Sequence, residues 1–232
     1  LDVRRFISDK EHVKLFVRAL VGDEYNVPTL DVIRSPTRLE NLKLPQGTII
    51  KPTHASGLAL MGGDDLSVAT LRRWLTLDYY RATRERNYRG LQKKLIIEPL
   101  VFGERSPLDF KFHCVDGVVR YVHVDFDRAT HHTRAFFNRD FERLPFSVGY
   151  PISRRPLDRP ANFDTMVAVA EHLARSFSLI RVDMYSDGRA TFVGEITNVH
   201  GNAHERFFPH SAEQTFGRGF TPEGPFSSTL VS

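Results

Sequence analysis

Cysteine, tryptophan and methionine are nearly missing from this 232-residue chain, which holds one, one and three of them. The single Cys114 excludes an internal disulfide and fits a reducing compartment. It sits in an apolar alternating run and reads as a buried structural thiol, not a nucleophile. Long apolar runs are missing too. No stretch approaches the length of a bilayer span, and the first residues, LDVRRFISDKEH, lack the apolar centre of a signal peptide. No stable membrane insertion is expected, and the expected location is cytoplasmic. A strong charge of one sign is also absent: 32 basic residues stand against 28 acidic ones, a net charge of +4. That excess is too small for an electrostatic nucleic-acid grip, and no aromatic stacking motif accompanies it, so no nucleic-acid partner is expected. The sequence pI of 9.3 still suits an anionic, phosphate-bearing ligand. P-loop spacing is absent, as is any Ser, His, Asp or Cys, His arrangement. His131-His132 and His200 to His204 have neither cysteine partners nor a metal-spaced helix and read as loop residues.

What is present is enough apolar sequence, 41% of residues, to bury one large core or two packed ones. The most informative stretch is Arg181 to Asn198, RVDMYSDGRATFVGEITN, two strands joined by a polar loop with acids near both ends. If Asp183 lies opposite Glu195, their Cα atoms are roughly 4.5 to 5.5 Å apart, close enough for both carboxylates to hold one hard divalent cation such as Mg2+. A two-residue Asp187-Gly188 turn would put the acids on opposite faces, so an odd-numbered loop around Arg189 is predicted. Neighbours as apolar as Val182, Phe192, Val193 and Ile196 argue against the competing reading, two solvent-facing acids, yet the hairpin alone leaves the two readings about even.

Ahead of this hairpin, Ser8 or Asp9 caps an amphipathic helix with Val13, Phe16, Val17 and Leu20 at helical spacing and Gly22 past its end. A short strand over 29–33 follows Pro28, and Ser35-Pro36 opens a short helix. Residues 48–61 read as a hairpin, in which Lys51 ends an apolar strand beside His54-Ala55-Ser56-Gly57. An ammonium next to a small glycine-containing loop suits a phosphate cradle, although a lysine at a strand end is more often merely solvated. Asp65 starts a long helix with Leu71, Trp74, Leu75 and Tyr79 as its apolar stripe. The apolar strand Leu95-Ile96-Ile97 runs into Glu98 and Pro99, a hinge-like break. Strands over 109–115 and 118–125 flank an Asp116-Gly117 turn, with Asp109, Lys111 and His113 on one face, a face expected to meet solvent. Residues 133–138 extend the sheet. Arg154 and Arg155 lie in a proline-punctuated loop, where they greet an acidic substrate or are solvated. Helix 163–176 carries Met166, Val169, Ala170 and Leu173 on one stripe, with Asp164 near its N-terminus.

In this order the pieces resemble the ATP-grasp superfamily, in particular its TupA-like branch, named for teichuronopeptide biosynthesis. The resemblance rests on Asp9-Lys10, Pro28, IIKPTHASG at 49–57, Trp74 with Tyr79-Tyr80, LIIEPL at 95–100, DFKFHCVDG at 109–117, AEHLARSFSLIRVDMYSDG at 170–188 and FVGEIT at 192–197. It implies an α+β ATP-grasp fold, two α/β subdomains whose antiparallel sheets grip a nucleotide between them. The implied divisions are a helical lead-in over 1–28, a small subdomain with the phosphate loop over 29–98 and a large subdomain with the metal site over 99–232. Because residue 1 is Leu and not Met, a longer parent chain with a further N-terminal segment stays open.

The resemblance further implies ATP and Mg2+ as cofactors. Lys51 would contact phosphate, with His54, Ser56 and Gly57 in the loop closing over the phosphates. Glu98, Pro99, Leu100 and Val101 would hold adenine through backbone groups. Asp109 and Lys111 would approach ribose, phosphate or substrate, and Arg181 the transferred phosphate, which makes Lys51, Lys111 and Arg181 the catalytic cations. Asp183, Glu195 and Thr197 would be the metal ligands. Most ATP-grasp ligases have Asn where Thr197 stands, and a hydroxyl is a poorer ligand than an amide oxygen, so a second metal is in doubt. The implied activity is carboxylate-amine ligation through an acyl phosphate. Its partners would be a small-molecule or glycan carboxylate and an amine, in cell-surface polysaccharide modification such as capsule, O-antigen or teichuronopeptide. Two alternatives keep the fold: a phosphotransferase, and a non-catalytic nucleotide-binding scaffold. The sequence fixes no oligomeric state.

Overall fold

The computed structural model describes residues 2–128, 130–198 and 205–221. The His200 to His204 motif lies outside them. Contacts divide the chain into two compact units, Leu1–Pro107 and Leu108–Ser232. The break expected between 98 and 99 falls inside a strand, Leu95–Pro99, whose hydrogen bonds to its neighbours carry the chain through that point.

The first unit opens with two helices, α1 (Asp2–Ile7) and α2 (His12–Leu20). Asp9 stops the first and starts the second, because its carboxylate Oδ1 accepts the N–H groups of Glu11 and His12 at 2.9 and 3.2 Å. Four antiparallel strands follow: β1 (Asp31–Ile33), β2 (Thr48–Pro52), β3 (Leu60–Met61) and β4 (Leu95–Pro99), in the order β1-β4-β2-β3. One sheet face buries Ile33, Ile50, Leu95 and Ile97 against Leu71, Trp74 and Leu75 of α3 (Val68–Thr76). The long helix expected from Asp65 is instead two. Ser67 caps α3, the chain turns at Leu77, and Asp78 caps α4 (Tyr79–Thr83) by accepting the Arg81 N–H at 3.0 Å. Asp78 offers the backbone a cap in place of a further helical turn, and Tyr79 leaves the stripe to pack edge-on against Tyr88.

The second unit is built on a five-stranded antiparallel sheet. Its strands are β5 (Asp109–Val115), β6 (Val118–Phe126), β7 (Thr133–Phe137), β9 (Leu179–Ser186) and β10 (Thr191–Thr197), in the order β10-β9-β5-β6-β7. A small pair, β8 (Ser147–Val148) with β11 (Phe207–Phe208), lies beside it, followed by α6 (Ala212–Phe216). The β5–β6 hairpin turns through Asp116 and Gly117, both at positive φ (49° and 77°), the geometry of a type I′ turn. Helix α5 (Phe163–Ala174) covers one sheet face, burying Phe163, Met166 and Ala170 with Phe112, Val182, Met184 and Ile196. No helix among the described residues is long and apolar enough to cross a membrane.

The opposite face carries Asp109, Lys111 and His113, and it is not the solvated face that alternation predicted. Lys111 and His113 are 7% and 2% exposed. Part of the cover is aromatic: Phe220 stands edge-on to His113 at 5.0 Å and packs with Tyr121, Phe136 and Phe146. A face both charged and buried must pair its charges internally.

Candidate active site

In the second unit, Glu195 pairs directly with Asp183 and Thr197 with Arg181. The loop that achieves this is not odd-numbered. Ser186 pairs with Thr191, leaving the four residues 187–190 as the connection, an even count that on its own would set Asp183 opposite Gly194. The register changes between Val193 and Glu195, so Gly194 is the extra residue of a β-bulge, and the bulge brings Glu195 round to Asp183. A Cβ on Gly194 would lie 2.6 Å from the Tyr185 ring, so the close approach itself calls for glycine.

Register extends this pair into a row across the sheet. Asp183 lies opposite Lys111 on β5, Lys111 opposite His123 on β6, and His123 opposite Phe136 on β7. Two residues along, on the same face, Thr197, Arg181, His113 and Tyr121 form a parallel row. Arg181 forks onto Asp183, Nε to Oδ1 and Nη2 to Oδ2 at 2.7 Å each, and donates to the Thr197 hydroxyl at 3.2 Å. Burial alone would lower the Arg181 guanidinium, but Asp183, Glu195 and Asp109 outweigh it and the net shift is upward. Burial pushes the Asp183 carboxyl above its ordinary value, and the two-pronged bridge to Arg181 pulls against that shift.

Lys111 donates to Asp109, and both belong to a network that sequence reading missed. Its centre is Asp125, with a side chain 3% exposed, which accepts from Arg134 Nε at 2.6 Å and Arg128 Nη2 at 2.9 Å and lies 3.1 Å from His132 Nε2. Burial works against the Asp125 anion, yet Arg134, Lys111 and Arg128 hold its carboxyl well below the ordinary range. Arg128 bridges Asp125 to Asp109 at 2.9 Å. His123, wholly buried beside these cations, is held well below its ordinary value by burial first and by Arg134 next, so it is neutral. Its Nδ1 lies 2.7 Å from His113 Nε2, a hydrogen bond whose direction follows the tautomer. The period-two alternation Tyr121, His123, Asp125 could have flagged the network, since it continues the polar face of β5 onto β6.

In the first unit, Lys51 lies on the sheet face opposite the apolar core, diagonal to Glu98. Its ammonium is 2.6 Å from Glu98 Oε2, while Lys14 of α2 lies 2.5 Å from Oε1. Burial opposes the Glu98 anion, but the charges of Lys51 and Lys14 hold the carboxyl below its ordinary value. Lys14 was not singled out by sequence, because a lysine on a helix carries no local sign of its partner 84 residues on, in β4. The loop after Lys51 is anchored from beneath: Thr53 donates its hydroxyl to Asp9 at 3.1 Å, Lys10 N–H donates to the Thr53 carbonyl at 3.1 Å, and Lys10 Nζ to the Ala55 carbonyl at 2.7 Å. His54 and Ala55 are thereby buried, whereas Ser56 is half-buried and Gly57 exposed. Burial also pulls the His54 imidazole below its ordinary value. Pro99 ends β4, Leu100 donates its N–H to the Gly47 carbonyl at 2.7 Å, and Val101 begins a 3-10 turn with Phe102 at φ 55°.

The donor set at Asp183 and Glu195, two carboxylates directly opposed on adjacent strands, is of the type a hard divalent cation takes, and Arg181 here engages both Asp183 oxygens. Thr197 fits less well, since its hydroxyl is engaged by Arg181. Another cluster of ligand-type residues, Asp9, Glu11 and His12, does not read as a metal site. The fully buried Lys94 ammonium lies 3.1 Å from Asp9 and 2.6 Å from Glu11, so a cation of the protein's own already holds that position. His132 stacks on Tyr150 at 3.5 Å, Arg155 stands over the Phe126 ring and 3.5 Å from Asp127, and Arg154 is exposed. Burial raises the Cys114 thiol far above its ordinary value, consistent with an inert core residue.

With this geometry in view, the chain can be set beside known proteins. No curated protein matches its sequence. Among solved structures, the L-amino acid ligase from Bacillus licheniformis is similar to it with a TM-score of 0.50 at 13% identity, over 83% of this chain and 43% of that one. Phosphoribosylamine--glycine ligase from Thermotoga maritima is similar with a TM-score of 0.53 at 11% identity, over 87% of this chain and 50% of that one. The chain thus spans half or less of the length of these two proteins, and at such identities the likeness speaks to the ATP-grasp fold alone. The TupA-like ATPgrasp family profile matches residues 4–221, nearly the whole length, and the chain belongs to that family.

Proposed function

We propose that the protein is an ATP-dependent carboxylate-amine ligase that activates a carboxylate as an acyl phosphate, and that the carboxylate belongs to a cell-surface glycan. The observation that carries this reading is the cross-strand row Glu195, Asp183, Lys111 with Arg181 forked beside it, acids for a divalent cation next to buried cations for a phosphoryl group. The glycan rests on the family branch alone.

In this reading each unit supplies its own part. Lys51 contacts the terminal phosphates of ATP, the Ser56-Gly57 end of the loop lies over them, and Glu98 to Val101 take the adenine through backbone groups. Asp183 and Glu195 would hold Mg2+, which when bound would supply positive charge against the terminal phosphates. Lys111 and Arg181 neutralise charge on the transferring group as a carboxylate oxygen bonds to the γ-phosphorus and the bond to ADP breaks. An amine then adds to the acyl carbon, loses a proton and expels phosphate, leaving the amide. Asp109 and Asp125 keep Lys111 and Arg128 in place, so stabilisation comes from charges already positioned.

The grip of Arg181 on both Asp183 and Thr197 favours one alternative, a non-catalytic nucleotide-binding scaffold. Phosphate release from ATP with Mg2+, screened over uronic acids paired with amino acids, separates the readings: amide formation supports the ligase, a phosphorylated product with no amide indicates a phosphotransferase, and nucleotide binding without turnover supports the scaffold.

A further inference from the structure

The first unit holds two lysines on one buried carboxylate. Glu98 is 4% exposed in its side chain, and each of its oxygens faces a different ammonium, Oε1 that of Lys14 and Oε2 that of Lys51. The two cations differ in how they are fixed. Lys14 also donates to the Val27 carbonyl, and the Lys14 carbonyl accepts from Asn26, so its place depends on α2 and the segment after it. Among the described residues, Glu98 is the one ion-pair partner of Lys51.

We propose that Lys14 is a positioning residue for the nucleotide, a second counter-ion that keeps Glu98 neutralised when Lys51 turns from the carboxylate to the terminal phosphates of a nucleoside triphosphate. The inference rests on the reading of Lys51 given above. A lone buried pair would resist such a turn, since removing the only partner of a buried carboxylate is strongly unfavourable. Two ammoniums on one carboxylate change the balance. The group carries one positive charge in excess, and the cations repel each other across it; burial pulls the Lys14 ammonium downward, Glu98 opposes that, and Lys51 adds to it. An incoming phosphate that draws Lys51 away relieves this repulsion and leaves a matched Lys14–Glu98 pair behind. Lysine suits the moving role, being a compact charge on a flexible stem.

Calorimetric titration of the whole chain with Mg-ATP and with adenosine tests the idea on wild type, Lys14→Met, Lys14→Arg, Glu98→Gln and the double variant Lys14→Met/Glu98→Gln. Lys14→Met is expected to weaken ATP about tenfold, equivalent to about 1.4 kcal/mol, with adenosine unchanged. Lys14→Arg should retain ATP binding, and Glu98→Gln added to Lys14→Met should restore it, because no buried charge then needs a counter-ion. Equal ATP affinity in Lys14→Met and wild type overturns the proposal, as does parallel loss of ATP and adenosine or absence of rescue in the double variant. If Lys14→Met does not fold, Glu98→Gln against the double variant decides: equal ATP affinity supports the charge role, and further loss contradicts it. Wild type failing to bind ATP is a separate result, which removes the ligase reading and this inference with it.

Discussion

Asp183 shows how one residue serves two demands. As a buried acid it needs cations, and Arg181 and Lys111 supply them; as the proposed metal ligand it needs a second acid, and Glu195 is its cross-strand partner. Asp183→Asn and Glu195→Gln should each reduce Mg-dependent turnover on the order of 100-fold or more, with the circular dichroism spectrum unchanged. Activity near wild type in either variant would remove that carboxylate from the metal site. Lys51→Ala should weaken ATP more than AMP, because its role is at the terminal phosphates; equal losses in titrations with both would contradict this. Asp125 belongs to stability as much as to chemistry. Asp125→Asn leaves Arg134, Arg128 and Lys111 short of their common anion and should cost about 3 kcal/mol in denaturant unfolding. At this scale the sequence was partly legible. The carboxylates and lysines stand in motifs, whereas the pairing of Lys14 with Glu98 and the gathering of cations around Asp125 are set by tertiary contacts that local spacing does not encode.

At the scale of elements, strands with a two-residue period could be placed from sequence, and the β5–β6 hairpin with its Asp116-Gly117 turn sits where alternation put it. The bulge at Gly194 was legible in principle. Val193 and Ile196 are both buried and share a sheet face, opposite Met184 and Val182, although they are three apart, which a regular strand does not allow, and a glycine lies between them. Loop length alone predicts the wrong device for the right alignment. Deleting Gly194 should remove the bulge and leave Val193 opposite Met184 and Glu195 opposite Asp183 in an uninterrupted ladder. Mg-dependent stabilisation by nucleotide should therefore persist, while its loss would show that the pairing of Glu195 with Asp183 is not enough to set the site. The break between α3 and α4 escaped the helical period because Leu75 and Tyr79 continue the spacing, and Asp78 acts through a cap that periodicity does not register. Burial of the Asp109, Lys111, His113 face escaped for a related reason: alternation says which residues share a face, not what covers it.

For the whole molecule, the depressed groups predict a two-stage acid response. His123 is held neutral in the fold, so its contribution is present above the unfolded histidine value, about 6.5, and declines as pH falls below it. Glu98 and Asp125 are held below their ordinary values, so theirs is present above about pH 4 to 4.5 and declines as pH falls further. Thermal midpoints should therefore drop between pH 7 and 5 and again below 4; a flat profile to pH 4 would count against the His123 assignment. The central claim, that the chain is a nucleotide-dependent enzyme with its metal on the β9–β10 hairpin, is tested most directly by calorimetric titration of wild type and Asp183→Asn with ATP, ADP and adenosine, with and without Mg2+. The account predicts binding of ATP and ADP that Mg2+ strengthens in the wild type and leaves unchanged in Asp183→Asn. Nucleotide binding indifferent to Mg2+ in both proteins, or none at all, would contradict it.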